Sequence, residues 1–157
     1  MRRDTKKDYP NLLDITAAGH ILAHETVYEG IREVREELGV NVFSDELVSL
    51  GVIKDCIIEE NFIDKELGHV FLYQFEGTMD DFILQKEEVS GVAKASFNDF
   101  YEFCIRRRDG ISVEGFEISP TGERITIHKT VSKNSFVPHE HTYFERIAKL
   151  IRENING

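Results

Sequence analysis

Residues 32–40 read REVREELGV. On an α-helix each residue advances by about 100°. Glu33, Glu36 and Glu37 then fall on one arc, with Glu29 inside it. Val27, Ile31, Val34 and Leu38, spaced 4, 3 and 4 apart, fall on the opposite side. One face is a core stripe and the other a stripe of carboxylates. Like charges at i,i+4 destabilise a helix by roughly 0.2–0.5 kcal/mol per pair. A hard divalent cation, which takes oxygen ligands, gives such a stripe a purpose; the plainer alternative is a charged face turned to solvent. Glu36 and Glu37 are the leading candidates for metal ligands. Glu33, one turn earlier on the same face, is a candidate third ligand or general base.

The elements that must hold these residues are legible around them. Thr26-Val27-Tyr28-Glu29 has the form of a capping box, with Thr26 as N-cap and Glu29 as its N3 partner. Gly39 stands where a left-handed C-terminal cap belongs. The predicted helix covers residues 27–38, and Glu29, having a structural task, ranks below the other three glutamates as a ligand. A turn is expected at residues 8–11 and a short strand at 13–18, followed by a loop over 19–25. Residues 47–58 are rich in β-branched side chains and read as a strand bulged near Gly51. Residues 68–76 form the clearest strand, and polar residues 59–67 read as the connection between the two. A short strand over 89–95, a helix over 96–107 with Phe100, Phe103 and Cys104 on one face, paired strands at 112–118 and 124–131, and an amphipathic helix over 139–155 complete the pattern. Strands mixed with helices, without strict βαβ alternation, predict an α/β chain of the α+β kind: a mixed sheet sandwiched between helices in one domain over 1–157, with 107–157 supplying a strand pair and a helix packed on it.

With 157 residues the chain can bury a core. Its net charge of -10 repels nucleic-acid backbones and anionic membranes, so neither is expected as a partner. The same charge repels a phosphate substrate unless metal ions bridge it to carboxylates. Arg2, Arg3, Lys6 and Lys7 form the one dense basic cluster near the carboxylate helix. Arg106, Arg107 and Arg108 end a helical pattern and suit its dipole. No apolar run approaches the length of a membrane span, and the opening MRRDTKKDYP leads into no apolar stretch of a secretory signal. Cys56 and Cys104 form no CxxC and no disulfide framework, which suits the reducing cytoplasm. His139-Glu140-His141 offers two imidazoles; a surface pair is the expectation and a metal pair the alternative.

Gly19, Glu25 and residues 32–40 resemble the Nudix box, G-x5-E-x7-R-E-U-x-E-E-x-G-U with U aliphatic. The gap from Glu25 to Arg32 is six residues where the box has seven. Residues 9–20, YPNLLDITAAGH, are similar to the YPxLWDxSAAGH stretch of Nudix proteins related to isopentenyl-diphosphate isomerase. The resemblance covers about residues 3–100 and implies the Nudix fold. It also implies a diphosphate as small-molecule substrate and Mg2+ or Mn2+ as cofactor. By the same likeness Arg32 orients a glutamate, the carbonyl of Gly19 or Ala18 completes the metal shell, and Glu87 or Glu88 swings in from a downstream loop as a further ligand or as base. Arg3, Lys6 and His20 are then expected on the substrate. Members of this group place a further segment, with a strand of the central sheet, before the Tyr9-Pro10 turn. The expectation is that this chain lacks it, leaving a sheet edge that invites a homodimer.

Isomerases of the group carry a cysteine in a TNTCCSHP-like stretch where this chain has Thr16-Ala17-Ala18-Gly19-His20. Alanine cannot relay a proton to carbon. The leading expectation is therefore metal-dependent hydrolysis of a diphosphate linkage in a nucleoside diphosphate derivative. A prenyl-diphosphate isomerase and a weakly active nucleotide-binding module are the alternatives. Phe62, Tyr73 and Phe82 are each open to two readings, base stacking or core.

Overall fold

The capping box is formed. Thr26 N–H donates to Glu29 Oε2 at 2.6 Å, and Glu29 N–H donates back to Thr26 Oγ1 at 3.4 Å. A 3-10 turn, Glu29–Ile31, follows and runs into α1, Arg32–Leu38. The regular helix is thus shorter than the 27–38 expected. Val27, Tyr28 and Gly30 are poor helix formers, and the first turn tightens to i→i+3 bonding, Ile31 N–H to Tyr28 O at 3.2 Å. Gly39 closes the helix at φ +70°, its N–H on Arg35 O at 3.0 Å.

This computed structural model describes residues 1, 2, 9–19, 21, 23–59 and 62–157. Strands β1 (Leu47–Glu59) and β2 (Phe62–Tyr73) pair antiparallel as a ribbon roughly 40 Å long. A register shift between Ser49 and Gly51 is the bulge expected there. Residues 62–67, expected as connection, are strand instead. Asp55 pairs with Glu66 and Cys56 with Lys65. On a two-stranded ribbon outward positions meet water, so polar side chains do not exclude a strand. Strands β3 (Gly91–Lys94), β4 (Gly110–Ile118) and β5 (Arg124–Ser132) form a second antiparallel sheet with β4 in the middle. Helix α2 (Phe97–Cys104) and helix α3 (Tyr143–Asn156) pack against each other, α2 also against β4 and α3 against β1. The class is α+β. Among the described residues parallel pairing is limited to a bridge between Leu13 and Phe136, which is all that forms of the strand expected over 13–18.

The core is three clusters. Leu38, Val40, Phe82, Val89 and Phe116 form the one beneath α1, with Tyr73 against it. Leu13, Ile111, Val113 and Val131 form the second, covered by Phe100 and Phe103 of α2. Ile53, Tyr143 and Ile147 form the third, between β1 and α3. Tyr73 and Phe82 are therefore core side chains rather than stacking surfaces. The segment before the carboxylate helix stitches the three together, because every second residue enters a different one: Leu13 the second, Ile15 the third, Ala17 the first. No helix among the described residues is long and apolar enough to cross a membrane.

Candidate active site

Burial of Val34 and Leu38 against the first cluster turns the opposite side of α1 outward. Leu38 is 1% exposed, whereas the Glu36 side chain is 56% exposed. Glu33 and Glu37 are half-buried. The α-helical geometry thus puts the three glutamates where the spacing placed them.

Arg32 organises the upstream end. Its Nη1 donates to Glu25 Oε1 at 2.6 Å and its Nη2 to Glu33 Oε1 at 3.2 Å, while Nε lies 4.0 Å from Glu36 Oε1. One guanidinium fork therefore pairs with Glu25 and Glu33 and stands near Glu36. The shortened gap between Glu25 and Arg32 does not prevent that contact.

Gly19 packs against Glu33. A Cβ placed on Gly19 would lie 2.3 Å from Glu33 Cγ and 2.9 Å from its Cδ. The loop backbone reaches the carboxylate stem only because this residue has no side chain. Downstream, Ile83 N–H donates to Leu38 O and Gln85 N–H to Glu37 O, both at 2.9 Å. These two bonds moor the strand-like run 83–85 to the last turn of α1. A further bond, Glu88 N–H to Gln85 O at 3.0 Å, folds the next turn so that exposed Glu87 and half-buried Glu88 follow directly. Gly19 on one side and the run 83–85 on the other thus lie against the carboxylate helix, and Glu87-Glu88 follow two residues beyond the second contact.

All the donors assembled there are oxygen atoms, and that chemistry fits a hard divalent cation. The side chains do not converge on a point: among the described residues no three His, Cys, Asp or Glu side chains gather as a ligand set. Arg3, Lys6 and His20, expected on the substrate, lie outside the described residues.

Beside Glu36 a groove of about 510 Å³ is lined by Arg35, Gly39, Asn41, Ile83, Leu84 and Gln85. No periodicity marks Arg35, Asn41 and Gln85, because each is an ordinary exposed polar residue until the 83–85 run is laid along the helix.

His139 corrects an expectation. It is not a surface histidine, and it is not placed to ligate a metal. Its side chain is 10% exposed, Nε2 lies 2.7 Å from Asp14 Oδ1, and Nδ1 faces Asp55 Oδ2. Burial works to lower its pKa; the hydrogen bonds and charges of Asp14 and Asp55 outweigh that and raise it above the ordinary histidine value. Arg108, in the basic run after α2, pairs with Asp99. The Phe62 side chain lies outside what the structure describes.

No protein-family model matches the chain, and no solved structure matches it. It is 31% identical over 153 residues to an uncharacterised Nudix hydrolase of Clostridium acetobutylicum, an alignment spanning 98% of this chain and 74% of that protein. It is 34% identical over 108 residues to Nudix hydrolase 3 of Arabidopsis thaliana, spanning 66% of this chain and 14% of that much longer protein.

Proposed function

This chain belongs to the Nudix hydrolase family, and from that premise we propose that it cleaves the diphosphate linkage of a nucleoside diphosphate derivative with the help of Mg2+ or Mn2+. The observation that supports the proposal is one short helix that carries Glu33, Glu36 and Glu37 and has Gly19 packed on Glu33 and the run leading to Glu87-Glu88 bonded to its last turn. Glu33, Glu36 and Glu37 with the Gly19 carbonyl are the groups that would hold the cation. Bound there, it would neutralise phosphoryl oxygens and lower the pKa of a water.

The chain's own residues set up the rest. Glu36 is exposed, so its side chain has room to turn toward Glu37. Arg32 fixes the carboxylate of Glu33 and keeps it from collapsing onto the helix surface. Glu33, on the helix itself, or Glu88, from the downstream turn, would accept the proton of the attacking water. Arg35, Asn41 and Gln85 line the neighbouring groove and suit the polar group attached to the diphosphate.

Hydrolysis is favoured over carbon isomerisation because no cysteine stands anywhere from Thr16 to Gly39, and Cys104 is buried at the end of α2 with its thiol pushed up to about 12, by burial first and then by the charge of Glu145. The stretch at residues 9–20 supports placing the chain among the family members similar to isopentenyl-diphosphate isomerase. Two unpaired cysteines, one buried and one half-buried, suit work in a reducing compartment.

The test is release of nucleoside monophosphate from a panel of nucleoside diphosphate derivatives, with and without Mg2+ or Mn2+. Removing a ligand that stabilises transition-state charge by several kcal/mol lowers turnover by on the order of 10²-fold or more. Glu36→Gln with Glu37→Gln is expected to do so without moving the melting temperature. Undiminished turnover in that double variant would remove the metal assignment. Conversion of isopentenyl diphosphate by the wild-type chain would reverse the choice between hydrolysis and isomerisation.

A further inference from the structure

A buried charged cluster lies outside the site just described. Asp14 comes from the segment before Gly19, Asp55 from β1, and His139 from the approach to α3. The side chains of Asp14 and Asp55 are 14% and 9% exposed. Both ring nitrogens of His139 face carboxylate oxygens, so both must donate, and only the imidazolium has two N–H groups. Backbone N–H groups hold the carboxylates as acceptors: Ile15 on Asp14 at 2.8 Å, and Cys56 and Glu140 on Asp55 at 2.9 Å each. Among the described residues the further charged and titratable neighbours are Arg2, 3.7 Å from Asp14, Glu66, opposite Asp55 on β2, and Tyr143, whose ring stacks on the imidazole at 4.2 Å.

The cluster grips the segment that delivers Gly19. Leu13 is bonded on both sides, its N–H to Ser135 O and its carbonyl from Val137 N–H, each at 2.8 Å. Leu13, Ile15 and Ala17 enter the three core clusters in turn, and Gly19, next in that alternate series, lies against Glu33. Asp14 is held through its side chain, mainly by His139. Removing the proton from the imidazolium would leave two buried carboxylates around a ring able to satisfy only one of them, and a buried acceptor left without its donor is costly.

We propose that His139 is a positioning residue for hydrolysis: as an imidazolium clamped between Asp14 and Asp55 it fixes the segment 13–19 that seats Glu33, and deprotonation loosens that segment and lowers turnover on the alkaline side. The activity half of this rests on the hydrolase reading; the mechanical half does not. A histidine held charged by folding contributes stability that is fully present below its unfolded pKa, near 6.5, and is lost as pH rises through the folded value. Each unit of elevation corresponds to about tenfold in the closing equilibrium.

The experiment follows the His139 ring by NMR in the full chain and, in parallel, exchange of the hydrogen-bonded amides of Leu13, Ile15 and Val137, corrected for intrinsic rates, against β4 amides as control. Protection at those three amides is expected to fall with the His139 titration, by about tenfold per unit of elevation, while β4 stays protected. Asp55→Asn keeps an acceptor but removes a charge, and is expected to move the transition to lower pH. His139→Gln is expected to abolish the transition and to lower kcat more than it raises KM, with the alkaline limb of the pH profile flattened. His139 titrating at or below about 6.5, or exchange at the Leu13, Ile15 and Val137 amides indifferent to its protonation, overturns the proposal even if the chain hydrolyses nothing. An alkaline limb unchanged in Asp55→Asn and His139→Gln overturns the coupling to turnover.

Discussion

Gly19 shows how much a single missing side chain does. It lets loop backbone touch the stem of Glu33, and the nearest atom a Cβ would meet, Glu33 Cγ at 2.3 Å, is close to the helix backbone and cannot swing clear at low cost. Gly19→Ala is therefore expected to push the carboxylate off Arg32 and reduce kcat/KM by about tenfold, equivalent to about 1.4 kcal/mol, while thermal unfolding moves little. A kcat/KM equal to that of the parent chain would show that the close approach has no bearing on turnover. At this scale the carboxylate stripe, the capping box and the Gly39 cap were legible because each depends on neighbours within one or two helical turns. Asp14, Asp55 and His139 were not. Their contacts join residues 125 and 84 positions apart, and no periodicity marks a side chain whose partner arrives from another element.

Among the elements, the hairpins and the helix faces followed from pattern. Alternation and β-branching fixed β1 and its bulge, and the spacing of Phe100, Phe103 and Cys104 fixed the buried face of α2. The outer half of β2 escaped because its polar residues serve a ribbon with water around it. The turn before the Glu87-Glu88 pair was also hidden. It is held by Arg124 of β5, which donates to Phe82 O at 2.7 Å and Met79 O at 3.1 Å and lies 3.8 Å over the Phe116 ring. Arg124→Ala leaves the part-buried Phe82 carbonyl without that donor and the ring without its cation. A loss of roughly 1–3 kcal/mol is expected in urea unfolding. A midpoint unchanged from wild type would mean that water replaces the guanidinium at no cost.

Taken whole, the molecule rests on three small cores rather than one large one, joined by the extended segment that ends at the active site. Ile111, 2% exposed, belongs to the second core, whereas Val34 and Leu38 of the carboxylate helix belong to the first. Ile111→Ala is expected to cost roughly 2–5 kcal/mol of folding free energy, measured by chemical denaturation, while the folded fraction keeps its kcat. A variant that stays folded but loses turnover would show that the cores are coupled more tightly than their separation implies. The expected α+β class holds, although the anticipated mixed sheet resolves into two antiparallel sheets and one parallel bridge.

That bridge has a consequence for biosynthesis. Leu13 and Asp14 leave the ribosome well before the groups that dock them, Ser135, Val137 and His139, the last of which follows Asp14 by 125 residues. Long-range closure of this kind is slow to form. A nascent chain halted short of Ser135 would already contain every glutamate of the carboxylate helix, but not the docking strip against which the loop carrying Gly19 is set. Hydrolytic competence should accordingly appear only once that strip has emerged.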